Sequence, residues 1–283
     1  MCAVIVTHNR CQLLEQCLQA VLAQSRAPER VLVVDTASTD GTAEMLRSRS
    51  TVDVLALEEN VGGAGGFAAG MEDAFRRGYD WLWLMDDDTI PEPAALSALL
   101  GPLARLDGLP VPDILASRVL WTDGRLHPKN YPAPRFEKSR NDVFVEAVGR
   151  GLLSIRLASF VSILVHRDAI SRCGLPEARY FMWGDDGEYT ARLLREGTGY
   201  TVPASIVHHR TARLEPVHHD TTGRYFYEVR NKCLQIRSDS FTPREKVGLA
   251  IATVMGVGIY LRHNRFSRQS LSAVARGLLA GIR

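Results

Sequence analysis

The sequence predicts an α/β fold, a mostly parallel sheet flanked by helices, with a helical C-terminal appendage. Short apolar runs alternate with helix-period segments through the first hundred residues. The runs are continuously apolar, as in parallel strands buried on both faces. Polar clusters follow them directly: Thr7-His8-Asn9-Arg10, 35–40, 58–66 and Asp86-Asp87-Asp88. Those clusters fall at the carboxyl ends of the strands, where ligands bind in open α/β sheets.

A first strand is predicted over 2–7. A helix over 12–24 follows, with Leu13, Leu14, Cys17, Leu18, Val21 and Leu22 at helical spacing. The β-branched run 31–34 ends in Asp35, Ser38-Thr39-Asp40-Gly41 punctuates, and 42–49 reads as a helix. Strand 52–57 and helix 65–77 come next. Trp81-Leu82-Trp83-Leu84-Met85 forms a fourth strand, and Pro91 opens a helix to about 103. Between 106 and 165 prolines 110, 112, 128, 132 and 134 mark turns, with strands at 114–119, 143–148 and 160–165. A helix over 185–196 and a strand near 205–207 complete the body. Residues 223–238, 243–262 and 267–282 are helical, which divides the chain into 1–220 and 221–283. No internal repeat is present.

With 283 residues, 46% hydrophobic and 23% charged, the chain has ample core, and disorder, collagen-like repeats and coiled coil are excluded. A net charge of +2 argues against nucleic acid as a partner. The total hides an asymmetry: residues 230–283 hold ten Lys/Arg and two acids, near +8, so residues 1–229 sum to about −6. Such a segment could meet phosphates, an anionic membrane surface, or only water. Cys2, Cys11, Cys17, Cys173 and Cys233 form an odd set without a CxxC pair, as expected of reduced thiols in a cytosolic protein. No signal peptide is read at the N-terminus. The longest uncharged run, 247–261, would span roughly 22 Å as a helix, short of a hydrocarbon core of about 30 Å.

Four clusters could carry chemistry. Asp86-Asp87-Asp88 closes an apolar strand, and adjacent carboxylates that repel one another suit a divalent cation, Mn²⁺ or Mg²⁺. In an extended chain Asp86 and Asp88 share one side. The competing reading is an acidic cap on the following helix. Asn60-Val61-Gly62-Gly63-Ala64-Gly65-Gly66-Phe67 joins a strand to a helix, where bare backbone can approach a phosphate or sugar, or only turn tightly. It is neither GxGxxG nor a Walker loop. Trp183-Gly184-Asp185-Asp186 opens a helix and supplies either dipole partners or a general base. Of the pairs His208-His209 and His218-His219, one histidine joined to Asp86 and Asp88 would suit Mn²⁺, and His218 and His219 read as surface or acceptor-side residues.

Together with Asp35 and Ser38-Thr39-Asp40-Gly41-Thr42, these motifs resemble inverting nucleotide-sugar glycosyltransferases of family 2, which have the GT-A fold. The resemblance covers roughly residues 3–210. It implies that Thr7, Asn9 and Asp35 hold the nucleoside, and that Arg10, Asn60, Gly62, Gly63, Asp87, Trp183 and Asp185 complete the donor-binding set. Asp86 and Asp88 match the DxD metal motif, His209 (or else His208) the metal-ligand histidine, and Asp186 the base that deprotonates the acceptor. Thr36-Ala37-Ser38 departs from the family, which often has Asn after that Asp. The glycine run, the Trp-rich strand and Tyr225-Phe226-Tyr227-Glu228-Val229-Arg230-Asn231 look most like galactofuranosyl- and rhamnosyltransferases of bacterial cell-wall and polysaccharide assembly. That implies UDP-galactofuranose or dTDP-rhamnose as donor and a glycan or polyprenyl-diphosphate-linked glycan as acceptor. A cytoplasmic location is expected, with peripheral contact at the inner membrane face and a homo-oligomer as further partner readings. The rival readings are a sugar nucleotidyltransferase and a non-catalytic nucleotide-sugar-binding protein.

Overall fold

A computed structural model describes residues 1–106, 108–135, 140–211, 214 and 216–282. Strands β1 (Cys2–Thr7), β2 (Arg30–Asp35), β3 (Asp53–Ala56) and β4 (Trp81–Asp86) pair in parallel in the order β3-β2-β1-β4. Helices α1 (Cys11–Leu22), α2 (Thr42–Arg47) and α3 (Gly62–Arg76) make the crossovers. Side-chain alternation explains why the buried lengths of β1, β2 and β4 are apolar on both faces. Val4, Val6 and Leu84 enter one core with Phe67 and Met71 of α3, while Ile5, Trp83 and Met85 enter another with Leu14 and Leu18 of α1.

The glycine run is mostly inside α3 rather than ahead of it. A Cβ on Gly66 would lie 2.5 Å from Val6 Cγ1, and one on Gly70 would lie 2.6 Å from both Val4 Cγ1 and Val34 Cγ2. These glycines let α3 lie close against β1 and β2.

Beyond β4 the sheet becomes mixed. β5 (Thr89–Pro91) is followed by α4 (Ala95–Leu100), β6 (Ile114–Leu120), β7 (Ala133–Pro134), α5 (Asn141–Gly149), β8 (Leu153–Leu157) and β9 (Ile163–His166). Helices α6 (Arg167–Cys173) and α7 (Asp185–Leu193) lead to β10 (Gly199–His209). The order continues from β4 as β9-β6-β10-β8-β7, and β5 pairs with the end of β10. β9 is antiparallel to both β4 and β6, whereas β10 runs parallel to β6. A register shift between Val202 and Ile206 absorbs Pro203 within β10. Trp83 Nε1 donates to Ser162 Oγ, and Ser162, Ser117 and Ser205 form a buried hydroxyl chain ending on the Ala95 carbonyl.

Three sequence expectations need correction. The run 143–148 is helical, in α5, with Val145 and Val148 exposed and Ala147 buried. Two of its three β-branched residues face solvent and only Val143 reaches the core, so propensity misreads the element. Pro91 ends β5 instead of opening a helix; Pro93 disfavours helical backbone at Glu92, and α4 starts only at Ala95. The strand expected from 160 starts at Ile163, because Ser162 has φ +84°.

The C-terminal segment folds as α8 (Tyr225–Arg237), α9 (Pro243–His263) and α10 (Arg268–Ile282). Thr242 and Glu245 form a capping box on α9, with Pro243 in its first turn. Tyr225 and Tyr260 stack at 3.7 Å between centroids, and Gly277 and Gly281 let α10 press against α8. Arg156 in β8 pairs with Glu245 at 2.8 Å, tying α9 to the sheet. Among the described residues no helix is long and apolar enough to cross a membrane, and all five cysteines are free thiols.

Candidate active site

A cavity of about 910 Å³ opens beyond the carboxyl ends of β1 and β4. Asp86, Asp87 and Asp88 form one wall, and Trp183, Asp185 and Asp186 at the start of α7 form another. The 216–222 segment and α8 contribute the outer side, through His219, Glu228, Lys232 and Gln235 among others.

The three aspartates have different partners. Asp87 accepts from Thr7 Oγ1 at 2.7 Å and from Arg10 Nη1 at 3.2 Å. Asp88 Oδ2 accepts from Arg10 at 2.7 Å, while its Oδ1 stands 3.1 Å from His209 Nε2. The pairing of β5 with β10 sets Thr89 opposite His209, which delivers that histidine to the aspartates from across the sheet. Burial, then the charge of Asp88, raises Asp86 to about 7. Burial raises Asp87 to about 6 although Arg10 opposes it. For Asp88, burial is outweighed by the hydrogen bond and charge of His209 and by Arg10, and its carboxyl sits below the usual range.

Ligand atoms of Asp86, Asp88 and His209 lie within 4.8 Å of one another. His209 Nδ1 is 2.8 Å from Asn130 Oδ1, an oxygen that can only accept, so Nδ1 carries the proton. In the neutral ring Nε2 then turns a lone pair toward Asp88 Oδ1, itself buried without a hydrogen-bond partner. Two acceptors facing each other call for a cation, or a further proton on Nε2, between them. An O,O,N set of this kind fits Mn²⁺, and a hydrogen-bonded Nδ1–H is the usual support of a ligating imidazole. The His127 ring lies 4.8 Å from that of His209, tilted by 34°, and burial together with His209 lowers it to about 4, so it stays neutral beside the cluster.

Across the cavity, Asp185 and Asp186 occupy the first turn of α7. Burial raises Asp186, with the Gly187 N–H (2.7 Å) and the charge of Lys232 opposing it. Asp185 is raised further, by burial and by Asp186. The helix N-terminus therefore does not win against desolvation. The turn before α7 is unusual: Phe181, Trp183 and Gly184 all have positive φ, at +61°, +63° and +83°.

The cavity brings Arg10, Gly63, Asp86, Asp87, Asp88, Trp183, Asp185, Asp186 and His209 together. Other predicted donor residues do not line it. Thr7 orients Asp87, and Asn9 bonds the Thr39 amide at 2.6 Å. Asp35 accepts from the Ser38 amide, and Asn60 accepts from the Gly62 amide at the start of α3. Gly62 has no room for a side chain, since a Cβ would lie 2.0 Å from the Phe181 carbonyl, whereas Gly63 has open space. His208 pairs with Glu92 instead of the aspartates. Sequence reasoning gave His8 no role of its own within its polar cluster, and missed His127, Asn130, Glu228 and Lys232 as cavity residues. His127 and Asn130 lie in an irregular segment with no motif to flag them, but the Tyr-rich stretch 225–231 was a usable pointer to α8.

The model of the family described as "Glycosyl transferase family 2" matches residues 2–159. The chain is 32% identical over 216 residues to "Galactofuranosyltransferase GlfT1" of Mycolicibacterium smegmatis, covering 74% of this chain and 70% of that protein. Among solved structures it resembles residues 1–349 of S. aureus TarS, with TM-score 0.60 at 16% identity, over 99% of this chain and 80% of the other. It also resembles the mannosyltransferase PcManGT from Pyrobaculum calidifontis in complex with GDP-Man and Mn²⁺, with TM-score 0.55 at 16% identity, over 100% and 80%.

Proposed function

The chain belongs to glycosyl transferase family 2, and from that membership we propose that it transfers a sugar, with inversion, from UDP-galactofuranose or dTDP-rhamnose to a hydroxyl of a glycan or polyprenyl-linked acceptor. It is a glycosyltransferase related to galactofuranosyltransferases, and bacterial cell-wall or polysaccharide synthesis is the setting we assign. One observation carries the reading: Asp86, Asp88 and His209 face the Asp185-Asp186 helix start across a single cavity.

In this reading Asp86, Asp88 and His209 hold a divalent cation, which would offset charge on the departing diphosphate. Arg10 and the Gly63 backbone face the same anion. Thr7, Asn9, Asp35, Asn60 and Gly62 shape the donor side, with Asp87, Trp183 and Asp185 on its walls. Asp186 takes the proton of the acceptor hydroxyl. The acceptor oxygen then bonds to the anomeric carbon as the bond from that carbon to the diphosphate oxygen breaks on the opposite face. Burial of Asp186 supports its part, because a raised carboxylate is a better base near neutral pH.

We assign residues 1–220 to donor binding and catalysis and 221–283 to a helical segment with acceptor-side and membrane-surface contacts. The proposed location is cytoplasmic and peripheral at the inner membrane face, supported by the exposed apolar side of α9 and its flanking arginines.

Thermal-shift measurement with UDP, dTDP and GDP, each with and without Mn²⁺, tests the reading. Stabilisation by UDP or dTDP that requires Mn²⁺ is expected; stabilisation by none of the three would overturn it.

A further inference from the structure

The turn that launches the acidic pair is held from the C-terminal segment. Asn231 in α8 is buried, and its Nδ2 lies 2.9 Å from the Tyr180 carbonyl, 2.7 Å from that of Met182 and 2.7 Å from that of Trp183. One turn further on, Gln235 Nε2 donates to the Gly184 carbonyl at 2.8 Å. Arg230, whose Nε donates to Asn231 Oδ1 at 2.9 Å, also bonds the Arg179 and Tyr180 carbonyls. The carbonyls of 179, 180, 182, 183 and 184 thus take donors from a single helix.

The intervening residue is gripped from the donor side. The Phe181 carbonyl accepts from the Ala64 amide at 3.2 Å, in the space that Gly62 leaves by having no side chain. The Phe181 ring stacks on Tyr227 of α8, 5.1 Å away and tilted by 19°.

Positive φ at two bulky residues, Phe181 and Trp183, is unfavourable and persists only where surroundings fix it. Those surroundings are now identified, with α8 on one side and the first turn of α3 on the other. Asp185 and Asp186 follow immediately, so their placement in the cavity is set by this turn.

We propose that Asn231 and Gln235 are positioning residues for the acceptor base, which makes α8 part of the catalytic unit. The proposal rests on Asp186 being that base. Side-chain amides suit the carbonyls next to the acidic pair, those of Met182, Trp183 and Gly184, because their N–H₂ groups donate without adding charge to that of Arg230 and Lys232 on the same helix.

The test measures UDP release from UDP-galactofuranose with a synthetic polyprenyl-diphosphate-linked glycan, alongside UDP binding calorimetry with Mn²⁺. Asn231→Asp sets a carboxylate against three carbonyls, and Gln235→Met keeps the length of the side chain without its donor. Both are expected to lower kcat, by about 100-fold for Asn231→Asp as befits an ångström-scale misplacement, with UDP affinity within about 3-fold of wild type. A purely structural role would lower UDP affinity and thermal stability together and leave kcat of the folded fraction unchanged. Should Asn231→Asp fail to fold, Gln235→Met decides alone. Unchanged kcat in the folded variants, with Asp186→Asn inactive, overturns the positioning and leaves the base assignment standing. Full activity in Asp186→Asn overturns both.

Discussion

The Nε2 of His209 stands 3.1 Å from Asp88 Oδ1, while the other ring nitrogen donates its proton in a hydrogen bond to Asn130 Oδ1. Neither facing atom then has a proton to offer, so the contact is favourable only with a cation or an added proton between them. Calorimetric titration with Mn²⁺ is expected to give one site. Asp88→Asn should abolish it, and Asn130→Ala, which frees the ring to rotate, should weaken it by about 10-fold. Undiminished Mn²⁺ affinity in Asp88→Asn would remove the cluster from consideration as a metal site.

How much of this was legible beforehand depended on which residues stood next to each other in the chain. Asp86-Asp87-Asp88 and Asp185-Asp186 are local motifs at the ends of apolar or periodic segments, and reading them needed only strand and helix patterning. The four parallel strands were legible for the same reason: 2–6, 31–34 and 81–85 are continuous apolar runs, and 52–57 is interrupted only by Asp53. The reach of His209 to Asp88 depends on a three-residue strand, β5, pairing across 116 or more positions, and no local pattern encodes that. The glycine run was ambiguous because backbone approach to a ligand and backbone approach to another element demand the same residue. In Gly66 and Gly70 the neighbour is the sheet. In 143–148 a β-branched surface helix imitates a strand, and only its partners distinguish the two.

Glycines in α3 separate these two demands experimentally. Gly70→Ala forces a methyl against Val4 and Val34, and overpacking of that kind is destabilising by about 1–3 kcal/mol, reduced by the roughly 1 kcal/mol that Ala gains over Gly in a helix. Gly63→Ala meets nothing within 4 Å, so the fold should be unharmed. Thermal melts followed by circular dichroism are expected to show a lower midpoint for Gly70→Ala alone. Gly63→Ala should instead weaken UDP binding in the presence of Mn²⁺, and an unaltered affinity would take Gly63 out of the donor site.

The pH dependence follows from Asp186. Its folded pKa is raised, chiefly by burial, above the ordinary 3.8 that it has in the unfolded chain. The folded state therefore binds the extra proton between those two values, and stability is lost as pH rises through that window. Asp186→Asn removes the penalty, so the variant should be the more stable protein at neutral pH, with the difference closing in acid. In catalysis the same shift places the acid limb of kcat above the ordinary carboxylate range. Lys232 holds Asp186 down, so Lys232→Met should move that limb to still higher pH. A limb that stays in place in Lys232→Met would show that another group controls the rate.

Helix α9 turns one side of its surface entirely to solvent. Val247, Ile251, Val254 and Met255 are 56–73% exposed and fall at spacings of four, seven and eight residues, one helical face. Arg244 precedes this stripe and Arg262 follows it on the same face, while Tyr260, the buried residue, points the other way. An apolar stripe closed at both ends by guanidinium groups fits an anionic bilayer surface, with hydrocarbon contact along its length and headgroups at each arginine, each worth about 1 kcal/mol near such a surface. Flotation with phosphatidylglycerol vesicles is expected to carry the protein, with phosphatidylcholine vesicles much less, and binding should fall with added salt. Val254→Glu with Met255→Glu should leave the protein at the bottom of the gradient while its UDP thermal shift is retained. The competing occupant of the stripe is a second copy of the chain. Light scattering decides between them: a dimer in free solution that the double variant converts to monomer, with no flotation of the wild type, would assign the stripe to self-association and end the membrane reading.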